Sequence, residues 1–132
     1  MIRLTPEQRV FLAERHLGTL ATIRQDGTPH VVPVAFTWDD VEGSAWITTQ
    51  DGTAKVRNIE RDAVPARGAL CQVAGGRWLT LEGTLVVSRV PDEVAEAERR
   101  HAVRYPPLDA DPARVLVRLV VGAVLGSDYM TP

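Results

Sequence analysis

Only one of the fifteen basic residues in this chain of 132 is a lysine, Lys55, and only one cysteine occurs, Cys71. A lone cysteine excludes an intrachain disulfide, a CxxC pair and any zinc site built on several cysteines. The three histidines, His16, His30 and His101, show no HxH or HExxH spacing, so metal binding is not expected. GxGxxG, Walker and GxSxG sequences are all missing, which removes the Rossmann dinucleotide site, the P-loop and the nucleophile elbow. Basic residues are dispersed and the formal net charge is −2, so nucleic acid is not an expected partner. The longest apolar stretch, VLVRLVVGAVLG, is short and broken by Arg118, and MIRLTPEQRV has no signal-type apolar core. The expectation is a soluble, cytoplasmic protein with no membrane partner.

What remains is enough for one domain over residues 1–132, able to bury about two-thirds of the surface its unfolded chain exposes. Thr5-Pro6-Glu7-Gln8 reads as a capping box with proline at the first helical position, opening a helix to about His16. GTLATIR and HVVPVAFTW flank QDGT and read as a hairpin with a type I′ turn at Asp26-Gly27. SAWITT follows as the third strand, and Ala54 to about Asp62 is helix-like, with Val56 and Ile59 on one face. RGALCQVA and RWLTLEGTLVVSR surround a Gly75-Gly76 turn. A helix opens at Pro91-Asp92-Glu93, acidic first and basic at its end, and stops at Tyr105-Pro106-Pro107. RVLVRLVVGAVLG is the last strand. The fold class expected is mainly β: a six-stranded antiparallel barrel with short helices. Trp46 and Trp78 need cover in so small a barrel, which a homodimer would supply and which interior packing would supply equally well.

Chemistry concentrates around Lys55. Cys71 lies in an apolar strand, where an inert buried thiol is the expected state. Gly52 and Thr53 place flexible backbone at the start of a helix, where unpaired N–H groups favour anions. Lys55 and Arg57 follow in its first turn or so, a position that disfavours a cation by about 0.3–1 kcal/mol unless an anion is present. A phosphate would satisfy the amides and both cations together, whereas the plainer reading lets both side chains extend into water. Lys55, Asn58 and Asp62 share a face, opposite Val56 and Ile59.

The segments LATIRQDGTPHVVPVAFTWD, WITTQDGTAKVRNIERD and GGRWLTLEG together resemble the pyridoxamine 5′-phosphate oxidase-like split β-barrel proteins, homodimers that bind flavin or deazaflavin. FLAERHL, ARGALCQVAGGRWLTLEG, AEAERRHAVRYPP and the closing RVLV with Leu125-Gly126-Ser127 are similar to the family's F420-dependent reductase group, and within it to actinobacterial biliverdin reductases. The resemblance implies an FMN-binding split β-barrel fold, a homodimer, and a coenzyme F420 site in a cleft at the dimer interface. It implies that Lys55, Arg57 and Asn58 hold the phosphate; that His30, Val31, Val32 and Pro33 run beside the deazaflavin with Thr48 and Thr49 before the phosphate loop; and that Arg77 and Trp78 reach over from the partner subunit.

The reaction implied is hydride transfer from reduced deazaflavin to an electron-poor small-molecule acceptor, a tetrapyrrole methine bridge if that acceptor is biliverdin. Arg77 would help to hold propionates by bidentate pairing. No side chain is singled out as catalytic or as proton donor. Two segments depart from the biliverdin reductase pattern: the connection QDGTAKVRNIERDAVPARG is longer, and Arg57 is nearer the wider F420-dependent group. The second strand also lacks the arginine-rich phosphate motif of FMN-dependent oxidases. An FMN-dependent oxidoreductase, or a non-catalytic carrier of the cofactor or of a tetrapyrrole, are the alternatives.

Overall fold

A computed structural model describes residues 2–62, 64–128 and 130. The elements in chain order are α1 (Pro6–Ala13), β1 (Gly18–Ile23), β2 (Pro29–Val34), β3 (Phe36–Asp39), β4 (Ser44–Gln50), α2 (Ala54–Glu60), β5 (Ala66–Ala74), β6 (Arg77–Ser88), α3 (Pro91–Arg104) and β7 (Arg114–Gly126). All strands pair antiparallel in one sheet of order β2-β1-β5-β6-β7-β4-β3. Its first and last strands are consecutive in the chain, separated by Ala35 alone. The two ends of the sheet are therefore joined covalently, and the sheet curls into a barrel.

Seven strands stand where six were expected, because HVVPVAFTW divides at Ala35. Val34 and Phe36 both point inward, so the alternation of burial runs through the break without a mark. Pairing is what changes: Val34 still faces Gly18 on β1, whereas Phe36 faces Ile47 on β4. The backbone of Phe36 is satisfied by side chains from the end of α3. Its N–H donates to the Tyr105 hydroxyl at 3.3 Å, and its carbonyl accepts from Arg104.

Local chemistry sets most of the other boundaries. Thr5 and Gln8 form the reciprocal capping box at the start of α1. That helix ends at Ala13 rather than near His16, since the Glu14 carbonyl is taken by Arg104. The first hairpin carries a three-residue loop, Gln25–Gly27, in place of the expected two-residue turn. Arg24 N–H bonds the Thr28 carbonyl, Gly27 N–H bonds that of Arg24, and Gly27 takes φ +86°, the left-handed position such a loop requires. At Gly83, beside a register shift between β6 and β7, an added Cβ would lie 1.9 Å from the Val120 carbonyl oxygen. Only glycine fits there.

The barrel interior is filled by Leu20, Phe36, Ile47, Leu70, Leu79, Leu81 and Leu119, all buried. Val56 and Ile59 of α2 and Phe11 and Leu12 of α1 add to the same core. Trp46 finds its cover within the chain: the Arg100 guanidinium of α3 lies 4.1 Å from its ring centroid. Trp78 stays 38% exposed. Cys71 is half-buried on the outward face of β5, not sealed in the interior as its strand suggested.

Candidate functional site

Closure at Ala35 holds one end of the barrel together and leaves the other end parted. Phe36 and Ile47 form the last pair between β3 and β4, so Thr48, Thr49 and Gln50 have β7 as their sole ladder neighbour. On the other side, Pro29 to Pro33 pair with β1 alone. Two free strand edges result, one carrying His30, Val31, Val32 and Pro33, the other Thr48 and Thr49. Proline at 29 and 33 is compatible with an edge strand, where no second neighbour requires the missing N–H. Outward residues Pro29, Val31 and Pro33 are exposed, and inward His30 and Val32 are half-buried.

Beyond Thr49 the chain turns at Gly52, with φ +77°, into α2. Thr53 does not cap this helix: its hydroxyl bonds the Gln50 carbonyl at 3.1 Å. The loop and the helix are clamped by one side chain. Arg89, past the end of β6, makes bidentate pairs with Asp51 at 2.8 and 2.9 Å and with Glu60 at 2.8 and 2.6 Å. Each carboxyl is held below its ordinary value chiefly by the Arg89 hydrogen bonds. Both acids are thereby neutralised.

Lys55 is left half-buried with no hydrogen bond or ion pair to any described residue, and burial lowers its pKa from the ordinary 10.5. Arg57 behaves differently from the expectation. It is exposed, and its guanidinium turns back onto the Gly52 carbonyl, bracing the loop. Asn58 donates to the Thr22 hydroxyl at 3.0 Å, tying α2 to β1. Thr22 is buried and sits opposite His30 in the register. His30 Nδ1 is itself buried with no hydrogen-bond partner among the described residues. A cation and a ring nitrogen, each without a partner among the described residues, fit a bound group that carries both an anion and hydrogen-bonding heteroatoms.

Nine of the eleven residues expected at the site thus lie along the two free edges or on the adjoining loop and helix. Arg77 and Trp78 do not join them within one chain. Arg77 forms a bidentate pair with Glu14 at 2.7 and 2.8 Å and lies 4.7 Å from the Phe11 ring centroid, while Trp78 N–H bonds Ser127. The Glu14 carboxyl is pulled down to about 2 by Arg77 first and His16 second. Arg77 is therefore already engaged by a carboxylate of its own chain. The arginine that sequence reasoning missed is Arg89, whose partners lie 38 and 29 residues away. No local motif marks it.

Residues 4–127 match the pyridoxamine 5′-phosphate oxidase family. The chain is 42% identical over 125 residues to the biliverdin reductase of Mycobacterium tuberculosis (strain CDC 1551 / Oshkosh) that depends on reduced coenzyme F420, covering 95% of this chain and 89% of that one. Among solved structures, a conserved hypothetical protein of M. tuberculosis superposes with TM-score 0.80 at 25% identity, over 96% of this chain and 85% of that one. A protein described as an F420 reductase superposes with TM-score 0.74, also at 25% identity, over 92% and 98%.

Proposed function

Because the chain belongs to the pyridoxamine 5′-phosphate oxidase family, we propose that it is an F420-dependent reductase acting on an electron-poor small molecule, a linear tetrapyrrole of the biliverdin type. The observation that carries this reading is the half-buried, unpaired Lys55 beyond the parted edges of β2 and β4, in a chain so close to a reductase that uses reduced F420. Reduced F420, when bound, supplies a hydride. Lys55 holds its phosphate as a point charge. Asn58 keeps α2 in register with β1, and Arg57 with Arg89 fixes the loop from which Lys55 projects. The free edge of β2 offers backbone groups to the ring, His30 adds a side-chain nitrogen, and Val31 with Pro33 gives that edge an apolar surface. The protein's contribution is position and exclusion of water.

The same reading includes a homodimer. Pro33, Thr19, Cys71, Thr80 and Leu125 form one transverse line of the sheet register, on its outer face and without a charge. Val73 at 59%, Leu125 at 50% and Trp78 at 38% exposure widen this apolar face. A second copy is the occupant it suits, and it would bring Arg77 and Trp78 toward the partner's slit.

The test is titration of F420 and of FMN against one apo preparation, followed by mixing the protein with reduced F420 and biliverdin while the deazaflavin absorbance is recorded. Micromolar F420 binding with recovery of oxidised absorbance is expected. Tight FMN binding with none for F420 assigns the protein to the flavin-dependent branch, and F420 binding without turnover on any acceptor assigns it a carrier role.

A further inference from the structure

A cavity of about 500 Å³ lies between α1, β3 and α3, and Lys55 is not among its lining residues. Arg104 forms part of its wall and is spent: its guanidinium donates to the carbonyls of Glu14 and Phe36 and to Gln72 Oε1. Arg9 and Arg100 are engaged only in part, Arg100 also lying over the Trp46 ring. Arg9 gives Nη1 to the Leu4 carbonyl and stands 3.8 Å from Asp40, both side chains being well exposed. Arg100 gives Nε to Glu96 and places Nη1 at 3.3 Å from Asp39. The Nη2 group of each has no acceptor among the described residues.

A third unspent group comes from the strand edge. In an antiparallel pair the backbone groups point alternately toward and away from the neighbour. Phe36 turns its N–H and C=O outward, to Tyr105 and Arg104, so Trp38, two residues on, turns its own outward as well. Trp38 lines the cavity, and no described residue pairs with these two backbone groups. Leu12 and Ala13 supply apolar wall.

We propose that this cavity binds a small organic anion composed of a carboxylate, an amide and an apolar chain. The carboxylate is met by the unspent guanidinium donors of Arg9 and Arg100, the amide by the N–H and C=O of Trp38, and the chain by Leu12 and Ala13. Its volume falls in the range of about 300–1,000 Å³ usual for small-ligand pockets. Asp39, Asp40 and Glu96 pair with Arg9 and Arg100, so the donors left for a carboxylate are the two free Nη2 groups. The exposed Arg9–Asp40 pair is of the kind that contributes little and is readily given up.

Calorimetric titration of the full chain with N-octanoylglycine, and with its methyl ester as control, tests this. The acid is expected to bind saturably, and the ester at least about tenfold more weakly, as loss of a charge-assisted contact implies. Arg9→Gln and Arg100→Gln should each weaken the acid by a similar factor, and Ala13→Trp should abolish binding while thermal unfolding and F420 affinity stay unchanged. Equal affinity for acid and ester overturns the assignment. So does unaltered binding to the Ala13→Trp protein, competition between probe and F420, or no saturable binding of the acid at millimolar concentration.

Discussion

Replacing Lys55 by methionine should move ligand binding and stability in opposite directions. Methionine keeps an unbranched apolar stem of similar reach and removes only the charge, so packing against the neighbouring surface is largely retained. A cofactor phosphate paired with Lys55 makes a charge-assisted hydrogen bond of about 1.5–3 kcal/mol, and its loss corresponds to a Kd raised roughly 10- to 150-fold. In the apo protein the same cation opposes folding. It sits in the first turn of α2, half-buried, with Asp51 and Glu60 already taken by Arg89. Its removal should stabilise the apo protein by about 0.3–1 kcal/mol.

The pH dependence gives the sign a second check. Burial lowers the Lys55 pKa below 10.5 in the folded protein, so the unfolded chain binds more protons over the interval between the two values. Stability from this group therefore rises as pH increases through that interval toward 10.5 and is lost as pH falls through the folded value. Urea midpoints of the apo protein at about pH 8 and about pH 10 should show less of this rise for Lys55→Met than for wild type. Cofactor affinity follows from fluorescence titration. Unchanged cofactor affinity, or a variant less stable than wild type at both pH values, would refute the placement of an unpaired cation facing an anion site.

Other expectations follow from particular contacts. Gly83→Ala puts a Cβ against the Val120 carbonyl, where backbone rather than a flexible side chain must yield; a loss of about 3 kcal/mol or more is expected in urea unfolding. Arg104→Lys keeps the charge but not the fork that reaches Glu14, Phe36 and Gln72, and should cost about 3 kcal/mol by the same assay. Glu14 should titrate near 2 by NMR and return toward 4.5 in Arg77→Ala; the stability this pair gives is present above 4.5 and lost as pH falls through about 2. Val73→Asp, on the outer face, should leave a folded monomer in sedimentation, whereas an unchanged sedimentation coefficient would show that this face is not the dimer contact.

The sequence was most legible where structure is set locally. The capping box at Thr5 and Gln8, the Gly75-Gly76 hairpin, and the limits of α3 and β7 all rest on residues within a few positions of one another. Lys55 stood out for the same reason, as a cation in a helix first turn. The break at Ala35 did not, because Val32, Val34 and Phe36 keep a strand's alternation while the pairing partner changes from β1 to β4. Arg57 and Arg77 were given ligand roles that their own chain partly absorbs, one through the Gly52 carbonyl and the other through Glu14, 63 residues away. An arginine's partner cannot be read from its neighbours when five donors can reach in several directions.

The break at Ala35 explains why the site lies where it does. A barrel of this size closes only if the strand shared by its two ends bends, and bending carries Phe36 away from β1 toward β4. Once β3 has taken the Ser44–Ile47 part of β4, the remainder of β4 and the whole outer edge of β2 lack a strand between them. The opening is thus a consequence of closure. Arg104 and Tyr105 hold the bend by satisfying the Phe36 backbone, which no strand can reach. Helix α3, through Arg104 and Tyr105 at its end, therefore helps to fix the separation of the edges that carry His30 and Thr48. Substitutions at Arg104 that leave the protein folded should accordingly weaken cofactor binding without touching it. Lys55 variants should not alter the environment of Tyr105.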